Sequence, residues 1–301
     1  MLHETSRMIF ANALVAGVLV CVSACGSGDK SRADARANAA AGGDLAARFV
    51  DDIDVQREVL STELTEAARR LGSFELEASS SFVFSRSGED VEQLDTYAVT
   101  RDANGGSHTV IETPESSLEV YRVEDEIYVR YDKGHLRHKP LREMDVESVA
   151  ELAYSGLAQT LQIFERVLAF GVPEAAKVGD RKALRVPVLA ARDARSALHI
   201  APIVRPPFLP ETPPGSWRSV ARPLDVRGAL WIDLATGVVT RAEIDGRVEI
   251  ADRDVRPTQL TLRYHSQLSH IGAVPTITAP KARPEFRRQR PPSDQLSFFR
   301  H

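Results

Sequence analysis

Between residues 238 and 250 apolar and charged side chains alternate without a slip. Val238, Thr240, Ala242, Ile244, Gly246, Val248 and Ile250 hold the even positions; Arg241, Glu243, Asp245, Arg247 and Glu249 hold odd ones. Successive side chains of a strand point to opposite faces, so this stretch is a strand with one face buried and one in water. Leu230, Ile232 and Leu234 before it, and Leu260, Leu262, Tyr264 and Leu268 after it, repeat the pattern, with a turn at Ala235-Thr236-Gly237. Consecutive antiparallel strands with a single apolar face follow, and such a face must be covered by another layer.

The same grammar runs upstream. Residues 44–71 predict a first helix, with Ile53, Leu60, Leu64, Ala67, Ala68 and Leu71 on one face and Gly72 past its end. Phe74, Leu76, Ala78, Ser80, Phe82 and Phe84 alternate as a strand, followed by strands over 93–101, 108–112, 117–123, 126–131 and 135–141. Asn104-Gly105-Gly106 is a hairpin turn; Asp102 and Asn104 start a calcium-loop spacing that the next residues do not continue. A second helix is expected over 145–170, with Asp145 as N-cap and Gly171 ending it. Its apolar face is Val149, Leu152, Ala153, Gly156, Thr160, Leu161, Phe164 and Leu168, and its polar face carries Glu147, Glu151, Ser155, Gln159, Gln162 and Arg166. That helix is a natural cover for the sheet. Another strand spans 182–189, residues 201–223 are Pro-rich, and 271–280 trails off. The class is α+β.

The amino terminus is a targeting segment. Arg7 precedes an apolar run that is too short to span a bilayer. The run closes on Val22-Ser23-Ala24-Cys25-Gly26, which resembles the lipobox of bacterial lipoproteins. The resemblance implies that residues 1–24 are a signal peptide, and that Cys25 is acylated and becomes the first residue. Three acyl chains would tether the mature protein stably to a membrane. Gly26, where an Asp would imply inner-membrane retention, resembles the outer-membrane sorting case, facing the periplasm. With Cys21 discarded, Cys25 stands alone and no intrachain disulfide forms. Residues 25–43, small and polar, predict a flexible tether. The formal net charge of −4 carries no nucleic-acid footprint, and six Lys and Arg against two acids make residues 280–301 a basic, flexible tail.

Lipobox, tether, helix, antiparallel meander, amphipathic helix and a second strand set around Trp231-Ile232-Asp233-Leu234-Ala235-Thr236-Gly237-Val238 follow in that order. Together they resemble the LolA/LolB-like superfamily of periplasmic lipoprotein carriers, with its mycobacterial LppX/LprG-like relatives. The resemblance implies one domain over 44–280: a curved antiparallel sheet, an open half-barrel, with helices covering its concave apolar face. It also implies an acyl chain, lipid or lipidated partner held on that face, while a related domain senses envelope stress.

The chemistry of catalysis leaves no mark. There is no Gly-x-Ser-x-Gly elbow, His-Glu-x-x-His helix or phosphate-cradling loop, so no enzyme, metal or cofactor is expected. His135 and His138 are spaced to opposite faces of a strand among cationic neighbours, which disfavours a metal. The ligand-lining candidates are Phe74, Phe82, Phe84, Leu152, Leu161, Phe164, Ile244, Leu262 and Tyr264 from the apolar face, with Phe208, Leu209 and Trp217 from the Pro-rich stretch. That stretch reads either as a crossover packed on the sheet edge or as a lid over the cavity mouth, and it is also the candidate contact for a protein partner. Two functions stand: a lipid-anchored carrier with a void between sheet and helix, and an interaction or sensor module whose core is closed.

Overall fold

The computed structural model describes residues 45, 48–49, 52–86, 88–140, 146–191, 198–199, 220–250 and 258–284. Cys25 and the expected lipobox, the tether, the Asp145 cap, Phe208, Leu209, Trp217 and the tail beyond residue 284 lie outside them.

Within the described residues the chain builds one large sheet and four short helices. The helices are α1 (Ile53–Leu60), α2 (Leu64–Leu71), α3 (Val146–Tyr154) and α4 (Gly156–Phe164). The strands are β1 (Phe74–Arg86), β2 (Glu89–Arg101), β3 (Ser107–Glu112), β4 (Ser117–Val123), β5 (Glu126–Tyr131), β6 (Arg137–Pro140), β7 (Leu168–Phe170), β8 (Glu174–Val178), β9 (Arg181–Ala190), β10 (Leu198–His199), β11 (Ala221–Asp233), β12 (Val239–Ile250), β13 (Thr258–Ser269) and β14 (Arg283–Pro284). Their spatial order is β10-β7-β9-β11-β12-β13-β1-β2-β3-β4-β5-β6-β14, with β8 also on β9. Every pairing is antiparallel except that of β14 with β6, and the two ends of the order do not pair with each other. The sheet is open.

The alternation of residues 238–250 is realised in the burial of β12: Thr240, Ala242, Ile244, Gly246 and Val248 are buried and Asp245 and Arg247 exposed. Register carries that face sideways. Ile244 sits opposite Tyr264 on β13, Tyr264 opposite Ser80 on β1, and Phe82 opposite Leu262. Helix α3 lies against β2 and β3, α4 against β11 and β13, and α2 against α3. At full burial each such Leu, Ile or Phe contributes about 1.5–3 kcal/mol relative to exposure, which is why one apolar face fixes the register of twelve-residue strands.

Neither expected long helix is continuous. Residues 44–71 break after Leu60, where the Ser61 and Thr62 hydroxyls donate to the Arg57 and Glu58 carbonyls and so satisfy the last turn of α1. The Asp52 carboxylate caps the start of α1, accepting from Asp54 N and Val55 N. Ile53, expected on the apolar face, is 42% exposed, and Gln56 is buried instead, donating to the Phe49 carbonyl. Residues 145–170 break at Ser155, and the helix ends at Phe164. Leu168–Phe170 leaves as β7 to pair with β9, where Phe170 packs on Phe49 with ring centroids 5.6 Å apart.

The segment expected to trail off returns along the sheet. Gly272 N donates to the Ser73 carbonyl and Val274 N to Ser73 Oγ. Ile277 N reaches the buried Asp102 carboxylate, which also accepts from Asn104 N and Gly106 N. The Asp102 hairpin is thus a turn whose carboxylate is occupied by backbone N–H groups. Within the expected basic tail, Arg283–Pro284 pair with β6 rather than standing free of the fold. Pro223, taken with the Pro-rich loop, lies inside β11, where a register shift between Pro223 and Asp225 accommodates it.

Candidate functional site

The site is the seam between the apolar sheet face and the helices. Most sequence candidates lie on it: Phe74, Leu161, Phe164, Ile244, Leu262 and Tyr264 are almost wholly buried, Phe82 is buried, and Phe84 and Leu152 pack partly buried against them. The tightest fit is Phe164 over Gly246. A Cβ at Gly246 would stand 2.1 Å from Phe164 Cζ, so the missing side chain is the slot into which the ring seats. Phe208, Leu209 and Trp217 fall outside the described residues.

One cavity of about 40 Å³ opens along this seam, where α1, α3, α4, β1, β12 and β13 meet. Its apolar lining includes Leu60, Leu76, Leu157, Ala158, Val239 and Leu268. Of the sequence candidates among the described residues only Tyr264 lines it; the other described ones pack in or against the core around it. Gly156, at the break between α3 and α4, lies against the Tyr264 ring, where a Cβ would be 3.0 Å from Cε2. The break therefore lets the chain pass close over the ring that floors the cavity.

Its polar wall was not legible. Glu151 and Ser155, read as solvent-facing, are both buried. Helix α2 starts at Leu64, and its N-cap residue Glu63 makes no side-chain cap bond. Instead Leu64 N donates to both Glu151 carboxylate oxygens, at 2.8 and 3.0 Å, across 87 residues of sequence. The carboxylate does a cap's work from another helix, at the end of α2 where negative charge is favoured. The signal was indirect: a helix beginning at Leu64 without a capping side chain needs an acceptor from elsewhere.

Burial pushes the Glu151 carboxyl up to about 7; the Leu64 N–H and Arg101 oppose that shift, and Glu63 and Glu147 add to it. Burial also raises the Tyr264 hydroxyl to about 12 and drives Tyr154, which rests 6.4 Å from the Phe74 ring, higher still. Beside α3, Glu147 takes Arg101 at 2.9 Å and also binds Arg122. Among the described residues no cluster of His, Cys, Asp and Glu fits a metal.

Neither a family model nor a curated protein matches this sequence. Among solved structures it is similar to a LolA-superfamily protein from Nitrosomonas europaea, 11% identical, over 72% of this chain and 91% of that one, with a TM-score of 0.21. MucB is 13% identical over 73% of this chain and 62% of its own, with a TM-score of 0.24. A putative outer membrane lipoprotein-sorting domain from Vibrio parahaemolyticus is 8% identical over 70% and 91%, with a TM-score of 0.17. The open antiparallel sheet and the helices on its apolar face are on their own the architecture that the resemblance implied. The covered face is where the sequence placed it, and among the described residues the cover is four short helices instead of two long ones.

Proposed function

We propose that the protein is a non-catalytic envelope lipoprotein, anchored through acylated Cys25 at the outer membrane, that takes an acyl chain or lipid between its sheet and its helices. The observation that carries this reading is the cavity at the seam, floored by Tyr264 and roofed by helices of eight or nine residues. Isolated helices shorter than about 12–15 residues are marginal in water, so each roof segment holds its shape only through its contacts. A roof made of such segments opens piecewise, and a ligand replaces the contacts that opening removes.

A second reading has its own observation. At about 40 Å³ the cavity holds roughly three waters, not a chain of carbons. A protein with that core unchanged in every state is an interaction or sensor module, working through its surface, with 201–223 as a contact for a protein partner.

Uptake separates the two. The full chain carrying Cys25→Ser, so that no acyl group is added there, is titrated with pyrene-labelled diacylglycerol. Saturable uptake of one lipid per chain supports the carrier. No uptake, from a protein whose thermal unfolding is cooperative, ends that reading and leaves the module.

A further inference from the structure

The wall of the cavity carries a chemical preference that the apolar face alone does not. Among the described residues, Glu63 and Glu151 are its charged lining residues, and no Lys, Arg or His lines it. The nearby cations are already engaged: Arg70 with Glu66 and Glu58, Arg101 with Glu147. The remaining polar lining, such as Tyr154, is hydroxyl-bearing. A carboxylate or phosphate entering here would meet like charge with no counter-ion, in a setting where Glu151 is already poorly solvated. An ammonium or hydroxyl head would find acceptors.

Resting on the proposed apolar-ligand role, we infer that this site selects ligands whose polar head donates hydrogen bonds or carries positive charge, such as a hydroxyl or amine, and rejects anionic heads. Glu151 is the specificity-determining group. Among the described residues its two oxygens have one N–H partner, Leu64 N, so they retain capacity to accept from a head group without releasing the helix they cap. Burial acts most strongly on its charge, followed by the Leu64 N–H, Glu63 on the α1–α2 link, Glu147 on its own helix and Arg101 on β2, and Tyr154 stands within reach of its field. Because ionised Glu151 is the better acceptor, the preference for a cationic head strengthens as pH rises.

The test holds the chain constant and changes the head. The full chain carrying Cys25→Ser is loaded with the neutral dye phenylnaphthylamine. The dye is then displaced with dodecylamine, dodecanol and laurate below their aggregation limits, near pH 8 and again near pH 5, on either side of the Glu151 value of about 7. The amine is expected to displace the dye at least about tenfold more effectively than laurate near pH 8, with a smaller gap near pH 5. Glu151→Gln, which keeps an acceptor for Leu64 N, should narrow the amine–laurate gap, because it removes the charge that favours the amine and opposes laurate. Laurate matching or exceeding the amine in the unaltered site overturns the inference while the carrier role stands. If neither dye nor any chain binds, the carrier role falls and the inference with it.

Discussion

At the scale of single residues, three positions decide whether seam and sheet hold together. Glu151 is the clearest. Below the ordinary Glu value of 4.5 the group is protonated in both folded and unfolded chains. As pH rises towards about 7 the unfolded chain loses this proton while the folded one keeps it, so stability falls through that window and levels off above it. Glu151→Gln should match the parent near pH 4.5, exceed it above pH 7, and flatten the profile between, as thermal melts across the range would read out. Asp233 works in the opposite sense. It is buried at the end of β11 and accepts from Arg181 Nε at 2.7 Å, from Ala235 N and Thr236 N, and from the Thr236 hydroxyl. Burial by itself would raise its carboxyl, but Arg181 and Thr236 hold it below the usual 3.8. Its contribution is therefore present at neutral pH and lost as pH falls below that value. Asp233→Ala should cost about 2–4 kcal/mol at pH 7 in denaturant unfolding, because it strips the turn of its acceptor and leaves Arg181 unpaired. At Gly246 the requirement is space. Gly246→Ala sets a methyl within the Phe164 ring and should cost about 1–3 kcal/mol, part of which Phe164→Leu in the same chain recovers.

At the scale of elements, what could be read from the sequence follows the range of the interactions that set it. Strands β4 and β5 have the limits that alternation gave, and the even positions of β12 from Thr240 to Val248 are buried as read, because period two is a local property that one apolar face enforces. The helix breaks were not legible. Helical periodicity runs unchanged through Ser61–Glu63 and Ser155–Gly156, and what interrupts it lies elsewhere in the chain: Tyr264 beneath Gly156, and Glu151 at the start of α2. The same long-range contact explains why Glu151 was assigned to the solvent face. A charged residue at a polar position reads as exposed until a helix end 87 residues away is brought to it. The short strands β7, β8 and β14 escaped for a related reason, since two to five residues hold too little pattern to signal pairing that the neighbouring strand supplies.

At the scale of the whole molecule, an open sheet leaves its apolar face to be covered, and here short helices cover it around a cavity of about 40 Å³. A void that small is closed for a lipid, so a carrier role requires the roof to exchange its contacts with the sheet for contacts with a ligand. Such a protein should leave the cell already occupied. The most direct test is the native mass of the full chain carrying Cys25→Ser, purified gently from the cells that make it and compared with its mass after denaturation. The carrier account predicts an excess corresponding to one lipid, released on denaturation, with a head that is neutral or cationic. A native mass equal to that of the bare chain, unchanged after incubation with neutral lipid, would contradict it.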